Sequence, residues 1–237
     1  MCVFLGGFFH EIKAQIDIGE LKWDYPIKPK TEEWKKLKNN KAKVDACQIP
    51  TYILHDISTN DLMILCLQYP LLFDVFAFND INDGMKKLFD DFNGIREFSQ
   101  RKDALNNLRE KYLVELSVFP SKFNTLSTLE IVHSKVQISM LELLLSYFDF
   151  YTNSSKEEKK EVLQSLLYGY LEKIKYPEYF QGIGFTTNLY ARVNLITKID
   201  TALSKKFEGE NSSVLFSGRA NADLINTIDS LSYNLIK

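Results

Sequence analysis

Residues 128–151 read TLEIVHSKVQISMLELLLSYFDFY, and this stretch decides the fold. Leu129, Ile131, Val132, Val136, Ile138, Met140, Leu141, Leu143, Leu144, Leu145, Tyr147 and Phe148 fall around most of a helical circumference. A helix that is apolar on most sides belongs in the centre of a protein. Its greasiest part, Met140 to Tyr151, is interrupted by Glu142 and Asp149. It falls short of the ~18 apolar residues that a membrane-spanning helix needs, so no transmembrane segment is expected.

Downstream the helical period continues. Ser155 with Glu158 forms a capping-box pattern, followed by a stripe of Val162, Leu163, Leu166, Leu167, Tyr170, Leu171 and Ile174. Lys156, Glu157, Lys159, Lys160 and Glu161 make the opposite, solvated face. Tyr176-Pro177 ends this helix, and Gly182 and Gly184 mark the longest loop of the C-terminal half. Another helix carries Leu189, Val193, Ile196, Ile199, Leu203 and Phe207. After a polar break at Gly209–Ser213, the last uses Leu224, Ile228, Leu231 and Leu235.

Upstream the elements are shorter. Asp24 to Pro29 holds two prolines and reads as an extended arm. Thr31 is an N-cap, with Glu32 and Glu33 in the first turn of a lysine-rich helix running to Ala46. Pro50 opens a short helix, and Ser58 with Asp61 caps another over Thr59–Gln68. Leu71–Phe78 follows Pro70; period is ambiguous for so short an apolar run, but its helical neighbours and the lack of a partner strand favour helix. Asn79 or Asp80 caps a helix with Met85, Leu88, Phe89 and Phe92 inward, and Asp103–Leu116 carries Ala104, Leu105, Leu108, Tyr112 and Leu116 on one side.

The expected fold is therefore all-α: an irregular multi-helix bundle, with short helices in the N-terminal half and longer antiparallel helices in the C-terminal half. No fixed-period repeat supports a solenoid. The chain is expected to form a single domain over residues 1–237, with subregions 25–118 and 122–237 meeting near Phe119-Pro120. Apolar content of 45% with only 10 Gly and 6 Pro excludes a disordered or collagen-like chain. A net charge of −2 gives no global pull toward nucleic acid, and three cysteines cannot form a disulfide scaffold. Cys47 and Cys66 sit in apolar surroundings and read as core thiols, with a disulfide between them as the alternative. Met1–Phe9 is apolar but lacks a basic flank and a cleavage pattern, so it reads as a packed N-terminal segment or the remnant of an altered start.

The order and spacing of several short motifs are distinctive. They are Pro26, Pro29, Thr31-Glu32-Glu33-Trp34, Cys47-Gln48-Ile49-Pro50, Ser58-Thr59-Asn60-Asp61-Leu62 and Cys66-Leu67-Gln68-Tyr69-Pro70. Asp83-Gly84, Phe92-Asn93-Gly94 and Arg101-Lys102-Asp103-Ala104 complete the set. Through them the segment Tyr25–Tyr112 resembles an uncharacterised all-helical family of hypothetical bacterial proteins, many of them exported. The resemblance implies a helical fold and an extracytoplasmic setting. It brings no established activity, ligand or catalytic residue.

Candidate chemistry is sparse. Asp80-Ile81-Asn82-Asp83-Gly84 fails as a calcium loop, because its glycine falls at position five and no glutamate closes position twelve. His10, His55 and His133 lack helix-spaced partners for zinc, and no nucleophile elbow or phosphate-cradling glycine loop occurs, so neither metal nor cofactor is expected. Lys28–Lys43 holds seven lysines against two glutamates, the pattern of a solvated face; Trp34 within it anchors the helix to the body. Asn93, Arg96, Glu97, Arg101 and Asp103 form the most notable polar cluster, holding two of the five arginines. Arginine's planar fork suits either a helix junction or a ligand site.

Two functional readings follow. The first is a non-enzymatic helical module that binds another protein or an extracellular polymer, or supports an assembly. The alternative is an enzyme of unrecognised type, with a polar cleft between the subregions and Tyr69, Asp74, Asn93, Arg96 and Arg101 as its first candidates. A weaker third reading, surface binding through the Lys28–Lys43 run, predicts steep salt dependence.

Overall fold

The computed structural model describes residues 23–123, 125–151, 154–207 and 220–237; the expectations for Met1–Phe9 and Gly209–Ser213 lie outside them. Among the described residues every regular element is helical and none is a strand. The first part holds α1 (Glu32–Lys36), α2 (Asn40–Ala46), α3 (Thr51–Asp56), α4 (Thr59–Leu67), α5 (Ile81–Asp91), α6 (Asn93–Ser99) and α7 (Ala104–Val118). The second holds α8 (Thr128–Ser146), α9 (Lys156–Lys173), α10 (Pro177–Phe180), α11 (Ile183–Ile199) and α12 (Ala222–Ile236).

Local chemistry sets many of these boundaries. Thr31, Asn39, Ser58, Asp80 and Asn221 each accept a hydrogen bond from a first-turn amide through their side chains. Ser127 and Ser155 go further, forming reciprocal capping boxes with Glu130 and Glu158. Those bonds satisfy amides that the helix itself leaves without partners.

Six expectations need correction. The helix read through Tyr151 ends at Ser146, and the one read as carrying Leu189 to Phe207 ends at Ile199; extended backbone at Tyr147 and Asp200 stops them, and the 3₁₀ segments Phe148–Tyr151 and Thr201–Phe207 follow. The lysine-rich helix is not continuous from Glu32 to Ala46: Leu37 turns extended, and Asn39 starts α2 by accepting from the Ala42 amide at 2.9 Å. The Leu71–Phe78 run is helical, but as a 3₁₀ segment, Leu72–Ala77, tightened by i to i+3 bonds such as Asp74 N to Leu71 O at 3.1 Å. Helix α8 is central only from Ile138 to Ser146, where every residue is buried; toward its start Leu129 and Val132 are 77% and 44% exposed. Gly184 is not in a loop. It lies in the first turn of α11, after Gly182 takes φ +69°, a conformation that disfavours any side chain.

In the second part α11 packs against both α8 and α9, and α12 lies against α9 and α11. Helix α7 joins the two parts by packing on α4 as well as on α8 and α9. One hydrophobic core runs from Tyr25 to Ile228 and includes Leu62, Phe92, Leu108, Tyr112, Leu141, Leu166 and Ile196. Cys47 and Cys66 are free thiols in it, and burial pushes Cys47 up to about 11.

Candidate functional site

Asn93, Arg96 and Arg101 stand where short helices end. Phe92 is both the last cap of α5 and the first cap of α6, with extended backbone (φ −109°, ψ 116°). Next to that break the Asn93 amide reads Ile49 as a strand partner would: Oδ1 accepts from Ile49 N–H at 3.0 Å, and Nδ2 donates to Ile49 C=O at 2.7 Å. Gln48 returns the contact, donating to Asp91 C=O at 3.0 Å and accepting from Asn93 N–H at 3.1 Å. Arg96 Nη1 donates to the carbonyls of Phe89 (2.8 Å) and Asp90 (2.7 Å) at the end of α5. Arg101 reaches further, placing Nη1 2.6 Å from Ile57 C=O and Nη2 2.7 Å from Leu54 C=O at the end of α3. Helix C-termini carry partial negative charge and unpaired carbonyls, which a guanidinium fork satisfies in pairs. Glu97 lies 3.4 Å from Arg101 Nε and helps hold the fork in place.

Tyr69 and Asp74 are set apart from that junction. Tyr69 is 4% exposed and stacks on Phe92 at 3.9 Å between ring centroids, nearly parallel at 9°. It forms part of a groove together with Asp74, Val44, Leu71, Leu88 and Asp91. Burial raises the Asp74 carboxyl above its ordinary value, while Lys43 acts in the opposite direction. The five candidate residues are thus divided between a helix junction and a groove.

A second polar constellation, among α7, α8, α9 and α11, was missed by the sequence reading. Glu142 is fully buried, and its Oε1 accepts from Lys173 Nζ (2.6 Å), the Tyr112 hydroxyl (2.7 Å) and Asn188 Nδ2 (2.8 Å). The Thr187 hydroxyl lies 2.6 Å from Oε2. Lys173 also donates to Gly184 C=O at 2.6 Å, and Asn188 to Leu166 C=O at 2.9 Å. Burial pushes the Lys173 ammonium below its ordinary value although Glu142 pulls it back, and burial followed by Glu142 drives the Tyr112 phenol up. Arg192, also fully buried, donates to Asp229 of α12 at 2.7 Å and lies over the Tyr170 ring at 4.4 Å. Both cations lack exposure, so the cluster joins helices and offers no open face to a ligand. One visible signal existed: Glu142 and Arg192 are isolated charges in apolar runs, and such charges are buried only when paired.

Among the described residues no group of three or more His, Cys, Asp or Glu could hold a metal ion, and no helix is long and apolar enough to cross a membrane. No protein-family model, curated protein or solved structure matches the chain.

Proposed function

We propose that the chain is a non-enzymatic helical binding or scaffold module for another protein or an extracellular polymer. The observation that carries this reading is the use of Asn93, Arg96 and Arg101: all three hydrogen-bond main-chain groups, the arginines those at helix ends and Asn93 those of Ile49 in the linker between α2 and α3. Three of the five polar side chains that the alternative would place in a catalytic cleft are thus engaged in holding the helices together. The resemblance of Tyr25–Tyr112 to exported bacterial proteins supports an extracytoplasmic setting. Exposed aromatic residues, Tyr52 at 67% and Tyr233 at 40% among them, supply the kind of surface that protein interfaces favour.

Peptide and glycan arrays, run beside a broad screen for turnover, test the reading. Saturable binding without turnover is expected. Turnover of a bound substrate, abolished by replacing Asp74, would overturn it in favour of an enzyme.

A further inference from the structure

The groove between α2, the 3₁₀ segment and α5 combines features that point to one kind of occupant. Its cavity volume of about 60 Å³ has room for roughly two heavy-atom groups, the Cε–Nζ end of a lysine side chain. Val44, Leu71 and Leu88 contribute apolar wall suited to methylenes. Tyr69, more than nine-tenths buried, contributes to the lining, and its hydroxyl makes no hydrogen bond among the described residues. Asp74 and Asp91 lie near enough to act on that phenol electrostatically.

The cations around the groove already have contacts. Lys87 pairs with Asp91 along α5, and Lys43 stands over the Trp34 ring at 5.5 Å while also lying near enough to act on the Asp74 carboxyl. Asp74 accepts no hydrogen bond from any described residue. The exposed Asp74 carboxylate and Tyr69 therefore line the same largely apolar slot. A metal ion would want more oxygen ligands and fewer methyls, whereas an ammonium on an alkyl stem fits both kinds of lining.

We propose that this groove receives the side chain of a lysine presented by a partner protein, with Asp74 and the Tyr69 hydroxyl accepting from its ammonium. The proposal rests on the binding-module reading and names the chemistry of the partner. It is tested by methyl-detected NMR titration of the full chain with Nα-acetyl-lysine methylamide as probe. Saturable shifts at the Val44, Leu71 and Leu88 methyls are expected. Asp74→Asn should weaken binding about tenfold, and Tyr69→Phe, which retains the stacked ring, should also weaken it. The norleucine analogue, which keeps the stem without the charge, should give no saturable shift. Equal responses to lysine and norleucine probes, equal responses of wild type and Asp74→Asn, or no saturable shift at the solubility limit would each overturn the proposal. If the methyls stay still while array binding persists, the groove is lost and the module reading stands; turnover removes the module reading itself.

Discussion

The two parts of this molecule use polar side chains in different ways. From Glu32 to Val118 the chain makes seven helices of 5 to 15 residues, whereas α8, α9 and α11 run for 19, 18 and 17. Short helices have many ends for their length, and each end leaves backbone groups without helical partners. Gln48, Asn93, Arg96 and Arg101 meet that deficit by bonding to main chain. Long helices have few ends but wide shared faces. There Glu142, Lys173 and Asn188 meet between facing helices, with the carboxylate accepting from both of the others, while Lys173 and Asn188 each also donate to one carbonyl. Where a helical protein keeps its polar groups thus depends on how often the chain turns.

The contrast can be broken by substitution. The largest effect is expected for Glu142→Ala, which leaves the fully buried Lys173 without its carboxylate. Loss of about 3–5 kcal/mol in denaturant unfolding is the expected result. Gly169→Ala tests the packing under the same network: a Cβ there would fall 1.8 Å from the Tyr112 hydroxyl oxygen, so the ring must move. Overpacking of this kind should cost about 1–3 kcal/mol, read as a lowered denaturation midpoint.

In the short-helix part, Arg101→Ala leaves the Leu54 and Ile57 carbonyls without their donor. The expected cost is about 1–3 kcal/mol, and Arg101→Lys should recover only part of it because an ammonium lacks the fork. Smallest is Ser155→Ala at the start of α9, a loss of about 1 kcal/mol measurable by thermal unfolding.

Helical class was legible because it rests on period, and caps such as Thr31, Ser58 and Ser155 were legible because their partners lie within one turn. The break at Leu37 was not. Asn39 sits inside a lysine-rich run, and its capping role depends on a backbone turn that composition does not reveal. Burial along α8 was misread at its first half because exposure there depends on which helices pack against it, a tertiary matter. The candidate site divides the same way. Arg96 and Arg101 were visible as scarce arginines, yet the carbonyls that Arg101 serves lie 44 and 47 positions away in sequence. Glu142 stood out only as an interruption, while Lys173, at the end of its helix, carried no local sign of burial.

A double-mutant cycle joining Glu142→Leu and Lys173→Met, read by denaturant unfolding, probes the contrast between the two parts most directly. The account predicts a double variant more stable than either single one, with a coupling of about 2 kcal/mol or more. Strictly additive losses would show that the two residues do not act as a buried pair, and would contradict it.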